Sequence, residues 1–138
     1  MVYAGAGSAP NGLTVAVAVG TKTDRLDALA SNAMVTIINR ENIPWLIAQL
    51  GNTWPFDMVV IDELSSFKNH KAKRFTSLVK MRPYVKRWVG LTGTPVSNGL
   101  MDLWAQFRLL DGGQRLGRFI TRFRDRWFVP DKRNGMQV

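Results

Sequence analysis

The sequence predicts a single soluble α/β domain built on a parallel sheet. The 138-residue chain is about one domain long, and its 46% apolar content suits a globular core. Short β-rich runs alternate with longer helical ones, which is typical of strands joined by helices that cover both faces of a parallel sheet. Such sheets bind ligands beyond the carboxyl ends of their strands, so functional residues are expected there.

Four short runs are predicted to be the strands of this sheet. Each is rich in residues that favour extended backbone. The runs span residues 14–19, 34–38, 57–61 and 87–93. The third, DMVVI, is almost continuously apolar, which is typical of a strand buried on both faces.

Helical periodicity separates the strands and continues after the last one. Thr23 is expected to cap the first helix, and Asn42, followed by Pro44, the second. A third helix is predicted near residues 71–81. A fourth is predicted to start near Asn98 and to end at the Gly112-Gly113 pair. The apolar positions expected to face the core are Leu26, Leu29, Ala30, Ile43, Leu46, Ile47, Leu50, Leu100, Leu103, Trp104, Phe107 and Leu110, and in a last helix Leu116, Phe119, Ile120, Phe123 and Trp127.

Charge is unevenly distributed along the chain. Residues 1–63 carry three basic and six acidic side chains, whereas residues 64–138 carry sixteen and four. A basic half of this strength favours a polyanionic partner, nucleic acid first, with a merely solvated basic face as the alternative. The sequence has no cysteine, which excludes thiolate metal sites. No apolar run approaches the ~20 residues of a membrane span, so no membrane association is expected.

Residues 7–14, GSAPNGLT, almost match the phosphate-binding pattern G-x-x-x-x-G-K-[ST]. Leu13 replaces the lysine, and Pro10 removes a backbone N–H that such a loop uses. A β-rich run follows, although the pattern requires a helix whose N-terminus faces the phosphates. The match is therefore interpreted as accidental, within a flexible glycine-rich leader.

Acidic residues follow the third predicted strand. Asp62 and Glu63 stand at its carboxyl end. Adjacent carboxylates there suit metal-assisted phosphate chemistry, in which one holds Mg²⁺ and the other orients or deprotonates a water. The alternative is that they only cap the helix that follows.

A hydroxyl-bearing turn follows the fourth predicted strand. It consists of Thr92, Gly93, Thr94 and Pro95. Hydroxyl groups there would be able to contact the carboxylates of the neighbouring strand and respond to a phosphate. A simple turn before a helix is the alternative interpretation.

Together these stretches resemble the first RecA-like lobe of the Swi/Snf family, within the superfamily-two, DEAD/DEAH-like helicase-like ATPases. DELSSFKN is similar to motif II, and LTGTPVSNGLMDLWAQFRLL is similar to motif III with its following helix. IINREN resembles the segment upstream of motif II, and FITRFRDRWFVP the Phe-rich segment after motif III. The resemblance runs from about Val15 to Pro130 and is strongest to the compact phage and bacterial members.

The resemblance implies roles for individual residues. Asp62 would bind Mg²⁺ and Glu63 would activate water. Ser65 stands where motif II commonly has histidine, so it offers a hydroxyl to motif III but cannot become charged as imidazole can. The residues implied to couple nucleotide to DNA are Thr92, Gly93, Thr94 and Pro95. Those implied to lie near the DNA path are Lys68, Asn69, Lys71, Lys73 and Arg74.

The resemblance also implies parts that are not found in this sequence. A P-loop and a second lobe with its arginine finger complete the ATP site in the family, and such a finger alone is worth ~10³–10⁵ in rate. Mg²⁺ and ATP are the family's cofactors, but neither is expected to bind tightly here. The expected organisation is a leader over 1–13, a RecA-like lobe over 14–130 that is truncated at the P-loop end, and a loose tail over 131–138.

Two functions stay open. The first is a lobe of a DNA-dependent ATPase, inactive alone, that binds double-stranded DNA in a salt-sensitive way. The second is a non-catalytic nucleic-acid- or protein-binding module that forms a homo-oligomer or complements another helicase chain, because a missing strand exposes a sheet edge. A metal-only hydrolase is disfavoured, since the single histidine, His70, is expected to be a solvated surface residue. The expected location is the cytoplasm of a bacterial or phage-infected cell.

Overall fold

The computed structural model describes residues 2–3, 12–96, 99–131 and 135–137. Its strands are β1 Val2–Tyr3, β2 Val15–Val17, β3 Val35–Ile37, β4 Met58–Ile61, β5 Arg87–Gly90, β6 Val129–Asp131 and β7 Gly135–Gln137. Its α-helices are α1 Lys22–Ala30, α2 Ile43–Leu50, α3 Lys73–Met81, α4 Asp102–Leu110 and α5 Ile120–Trp127. No helix among these residues is long and apolar enough to cross a membrane.

Five strands form the main sheet, in the order β2-β3-β1-β4-β5. β2 pairs in parallel with β3, and β4 pairs in parallel with β5. β1 lies between these two pairs and is antiparallel to both of its neighbours. The α/β class and the four predicted parallel strands are thus confirmed. The expectation of a flexible leader was wrong for Val2–Tyr3, because two residues are too short a run for periodicity to reveal.

The first helix begins two residues earlier than predicted, whereas the second begins as predicted. Thr21, and not Thr23, caps α1: its Oγ1 accepts a hydrogen bond from the Asp24 N–H at 3.2 Å, and the Asp24 carboxylate accepts one from the Thr21 N–H at 2.9 Å. This reciprocal pair is a capping box, which requires an acceptor at the third helical position. Pro44 lies in the first turn of α2, as predicted.

The last two helices are shorter than predicted, and this exposes some residues expected in the core. α4 begins at Asp102, so Leu100 precedes it and is exposed, while Asn98 lies outside the described residues. Phe119 directly precedes α5 and Trp127 is its last residue, so both side chains are also exposed. Phe123, in the middle of α5, is buried as expected.

The core lies on one face of the sheet. Along β2 and just beyond it, Ala16 and Ala18 are buried, whereas Val15, Val17 and Val19 are 41–54% exposed. The buried face continues through Thr36, Ile38, Val59 and Ile61 and carries the packed side chains of α2, α3 and α4. α1 joins this face through Leu29, which lines a cavity together with Thr36.

The prediction of helices on both faces is therefore wrong for the described part of the chain. The four parallel strands follow one another across the sheet in a single direction. Right-handed crossovers between strands added in one direction place their helices on the same side. The alternation of strand and helix patterns predicts the crossovers. It does not predict that all of them run in the same direction across the sheet.

The carboxyl-terminal residues also differ from the prediction of a loose tail. β6 pairs with β7 in an antiparallel hairpin, with Pro130 opposite Met136. Sequence patterns did not predict this hairpin, because each strand is only three residues long.

Candidate functional site

The carboxyl end of β4 presents the predicted pair of carboxylates. Val59 and Ile61 are buried, whereas Asp62 and Glu63 are both exposed beyond the end of the strand. The Glu63 N–H donates to Asp62 Oδ1 at 3.0 Å, and Glu63 has left-handed backbone angles (φ 52°, ψ 51°). Non-glycine residues adopt this conformation infrequently, and it is found at functional turns more often than elsewhere.

Pairing between β4 and β5 brings the hydroxyl-bearing turn to the same rim. Ile61 lies opposite Gly90. Beyond this pair, the Leu91 N–H donates to the Ile61 carbonyl at 2.8 Å, and the Leu64 N–H donates to the Leu91 carbonyl at 2.9 Å. Asp62 and Glu63 therefore lie on a loop whose two ends are both bonded to Leu91, the residue before Thr92.

Thr92 is the turn residue whose side chain lies deepest. Its Oγ1 is buried and has no hydrogen-bond partner. A buried polar atom without a protein partner is uncommon in folded proteins, so this hydroxyl is available to bond a ligand or water. The other members of the turn, Gly93, Thr94 and Pro95, are exposed.

Gln106 holds the turn from the side of α4. Its side chain is 2% exposed, and its Nε2 donates to the Pro95 carbonyl at 2.6 Å and to the Asp102 carbonyl at 3.4 Å. Motif patterns do not single out this residue. The available signal was an amide between the core residues Trp104 and Leu109, where a polar side chain requires a buried partner.

Arg40 holds the carboxylate loop from the side of β3, and it was also missed. Its guanidinium donates to Ser66 Oγ and, at 3.3 Å, to the Asp62 carbonyl. It also lies 5.5 Å from the centroid of the Phe67 ring. Ser66 Oγ in turn donates to the Glu63 carbonyl at 2.7 Å. The hydroxyl that organises this loop thus belongs to Ser66, whereas the predicted coupling residue Ser65 is half-buried beside it.

A cavity of about 250 Å³ opens beside this loop, at the carboxyl ends of β3 and β4. Its apolar floor includes Ile43, Val59 and Phe67, and its mouth includes Arg40 and Asp62. This is where parallel sheets bind ligands. No cluster of three or more His, Cys, Asp or Glu side chains suited to a metal ion occurs in the described ranges, so any cation here would rely on few protein ligands.

The predicted nucleic-acid-binding residues follow the carboxylate loop. Four of them have exposed side chains: Lys68, Asn69, Lys71 and Lys73. The fifth, Arg74, is half-buried, with its guanidinium 5.9 Å from the centroid of the Phe67 ring. Arg74 thus packs against the core side of the loop, and the exposed lysines form the surface available to a polyanion.

His70 is not the solvated residue that the sequence predicts. It is half-buried, and its ring meets the Trp104 ring edge to face, with centroids 5.6 Å apart. Burial lowers the pKa of His70, and the nearby charges of Arg124 and Lys71 lower it further. The surrounding loop is polar in sequence, and the approach of α4 that covers His70 is a tertiary effect.

The sequence profile of the SNF2-related domain family matches residues 8–128. Putative protein p41 of Acyrthosiphon pisum secondary endosymbiont phage 1 is 44% identical over 125 residues, which cover 86% of this chain and 27% of p41. The SWI/SNF-related matrix-associated actin-dependent regulator of chromatin subfamily A-like protein 1 of Drosophila melanogaster is 34% identical over 71 residues, 51% of this chain and 9% of that protein.

A solved structure has a similar fold. The Sulfolobus solfataricus SWI2/SNF2 ATPase core in complex with dsDNA superposes with a TM-score of 0.68 at 23% sequence identity. The superposition covers 84% of this chain and 23% of that one. The chain thus spans about a quarter of the phage relative and of the solved structure.

The packing of His70 predicts a pH-dependent stability. Because the folded state lowers the pKa of His70, acid protonates the unfolded state first, so the free energy of unfolding falls as pH drops below about 6.5, the ordinary histidine value. A His70→Gln variant should lose this dependence. Urea unfolding of both proteins between neutral pH and the onset of carboxylate titration measures it. Since His70 is the only histidine in the sequence, equal slopes in the two proteins would contradict the assignment.

Proposed function

The chain belongs to the SNF2-related domain family, and from this membership we propose that it carries the metal-binding and water-activating part of the ATP site of a DNA-dependent ATPase. The observation that supports the proposal best is the pairing of β4 with β5, which joins the Asp62–Glu63 loop to the residue before Thr92. Carboxylate and hydroxyl oxygens are hard ligands of the kind that Mg²⁺ prefers. The buried Thr92 Oγ1, which has no protein partner, also offers a hydroxyl oxygen to a bound group.

In this proposal Asp62 would hold Mg²⁺. One Asp62 oxygen accepts the Glu63 N–H, which fixes the carboxylate and leaves the other oxygen for the ion. Glu63, which is exposed and has left-handed backbone angles, would orient the attacking water. When bound, Mg²⁺ neutralises charge on the phosphates.

The threonine-bearing turn transmits the state of the nucleotide. Thr92 and Thr94 lie at the same rim as the carboxylates, and Gln106 anchors the turn to α4 through the Pro95 carbonyl. A phosphate bound near Thr92 would therefore pull on α4. Ser65 remains the proposed contact between the two loops on the carboxylate side.

We expect the purified chain alone to hydrolyse ATP at the background rate, with or without double-stranded DNA. The sequence contains no match to G-x-x-x-x-G-K-[ST], so the strongest phosphate contacts have to come from elsewhere. A phosphate-release assay on the wild-type chain and on a Glu63→Gln variant measures this. Robust hydrolysis by the wild type that disappears in the variant would show that the site is complete, and would contradict the expectation.

Double-stranded DNA is the proposed partner of the lysine-rich surface after the carboxylate loop. The Sulfolobus SWI2/SNF2 core was solved with such DNA, and residues 64–138 carry sixteen basic against four acidic side chains. Exposed lysines that contact phosphates release counterions, so binding weakens as salt rises.

Salt-dependent DNA binding tests this surface. The Lys71→Ala/Lys73→Ala variant should bind duplex DNA more weakly than wild type, and the slope of log affinity against log salt should fall by about 2. Fluorescence anisotropy between about 50 and 200 mM salt measures the slope. The matched control is Lys22→Ala/Lys80→Ala, which removes two exposed lysines elsewhere and should leave the slope unchanged. Equal slopes for the two double variants would contradict the assignment.

A second function is favoured by the bare face of the sheet. In the described part of the chain α1–α4 lie on one face of the sheet, and Val15, Val17 and Leu91 are about half exposed on the other. Large exposed apolar patches mark interaction surfaces. The chain would then be a binding module that self-associates or complements another helicase chain through this face.

Self-association through the bare face predicts a molar mass that rises with protein concentration. The Val15→Lys/Val17→Lys variant should keep the mass of one copy, because each lysine would bury a charge in the contact. Multi-angle light scattering compares it with wild type. Val129→Lys is the control, since Val129 is even more exposed but lies in the β6–β7 hairpin. A wild-type mass of one copy at every concentration would rule out the homo-oligomer.

A further inference from the structure

An apolar groove between α4 and α5 is not used by the proposed ATP or DNA sites. It encloses about 270 Å³. All six residues that line it are apolar: Leu100, Leu103, Leu116, Phe123, Trp127 and Phe128. Phe123 and Phe128 form its buried floor, with ring centroids 5.3 Å apart, while Leu100 and Trp127 are about half exposed at its mouth.

The size and lining of the groove indicate what it can accept. Pockets for drug-sized ligands usually measure ~300–1,000 Å³ and contain a few polar groups, so this groove suits anchor side chains of a larger partner better than a whole small molecule. On its walls phosphates, sugars and base edges would find one hydrogen-bonding side-chain group, the indole N–H of Trp127. The lining thus favours apolar side chains of a polypeptide.

Two arginines lie beside the groove. Phe123 and Trp127 are four residues apart and share one stripe of α5, and Arg122 and Arg126 form the adjacent stripe. The Arg126 guanidinium is 5.0 Å from the Trp127 ring centroid, so one cation borders the groove wall directly. The Arg122 guanidinium stacks on exposed Phe119 at 5.6 Å.

Arg122 and Arg126 have ring contacts but no carboxylate partner. Nearby, Arg115 pairs with Asp111 at 3.2 Å. Neither Arg122 nor Arg126 forms an ion pair with a carboxylate among the described residues. Residues 112–128 carry five arginines and one aspartate, so the surface around the groove is positively charged.

We propose that this groove is a docking site for an acidic amphipathic helix of a partner protein. Apolar residues of that helix would fill the groove, and carboxylates spaced four residues apart would meet Arg122 and Arg126, which have the same spacing. Charge complementarity and the apolar lining together select this occupant over a neutral or basic segment. The proposal does not depend on the ATP site or on the lysines assigned to DNA.

The test uses a synthetic helical peptide of about 14 residues with leucine and phenylalanine on one face and glutamate on the flanking stripe. Two control peptides replace the glutamates by glutamine or the leucine and phenylalanine residues by serine. Fluorescence anisotropy of the labelled peptides with the full chain should give tightest binding for the parent peptide. Binding of the parent should also weaken as salt rises.

Matched variants locate the binding site. Leu100→Ser should weaken binding of the parent peptide about tenfold or more, whereas Leu13→Ser, at the same 43% exposure but next to β2, should not. Arg122→Gln/Arg126→Gln should weaken the parent about tenfold and leave the glutamine control peptide unaffected. Lys22→Gln/Lys80→Gln is the matched charge control. Thermal unfolding of each variant checks that it remains folded.

Three results would overturn the proposal. One is an affinity for the parent peptide no greater than for the two control peptides. Another is equal binding by Leu100→Ser and Leu13→Ser. The third is duplex DNA binding that falls in Leu100→Ser as much as peptide binding does, which would assign the groove to nucleic acid. Neither of the first two results would change the lysine-dependent salt slope of DNA binding. Failure of this proposal can therefore be distinguished from failure of the proposed function.

Discussion

The parallel pairing of β4 with β5 is the constraint on which the candidate site depends. Its register sets Ile61 opposite Gly90, and the ladder continues through Leu91, which bonds both to Ile61 and to Leu64. Gly90 leaves room for the side chains packed over β5, because a Cβ there would overlap the Leu64 side chain and lie 3.3 Å from Leu110 Cδ2. Two loops with different side-chain chemistry are thereby fixed at one rim of the sheet.

Two polar residues from outside this ladder fix the loops further. Arg40, after β3, binds the carboxylate loop, and Gln106, in α4, binds the threonine-bearing turn. Both residues donate hydrogen bonds to backbone carbonyls of the loops. These bonds restrict the loops before a ligand binds, which limits the conformational entropy lost on binding. The site is therefore held by neighbours on both sides, while the atoms proposed to meet a ligand, namely the Asp62 and Glu63 carboxylates and Thr92 Oγ1, have few hydrogen bonds of their own.

The sequence predicted the fold and the meeting of the two loops because both follow from local patterns. Valine-rich runs identified β2 to β5, DELSSFKN and LTGTP gave the family resemblance, and the family match confirms it. Arg40, Gln106 and the burial of His70 were missed because each depends on which elements come together in space. Leu100, Phe119 and Trp127 were assigned to the core by periodicity, yet α4 and α5 begin after Leu100 and Phe119, and α5 ends at Trp127, so all three are exposed.

Binding of a divalent ion at Asp62 is the most direct test of the account, and Mn²⁺ substitutes for Mg²⁺ at oxygen sites. In an ¹H–¹⁵N spectrum of the chain, we expect Mn²⁺ to broaden the amides of residues 62–64 and 91–94 together, and Asp62→Asn to remove both effects. Broadening confined to one of the two segments, or unchanged in the Asp62→Asn variant, would contradict a shared metal-binding rim.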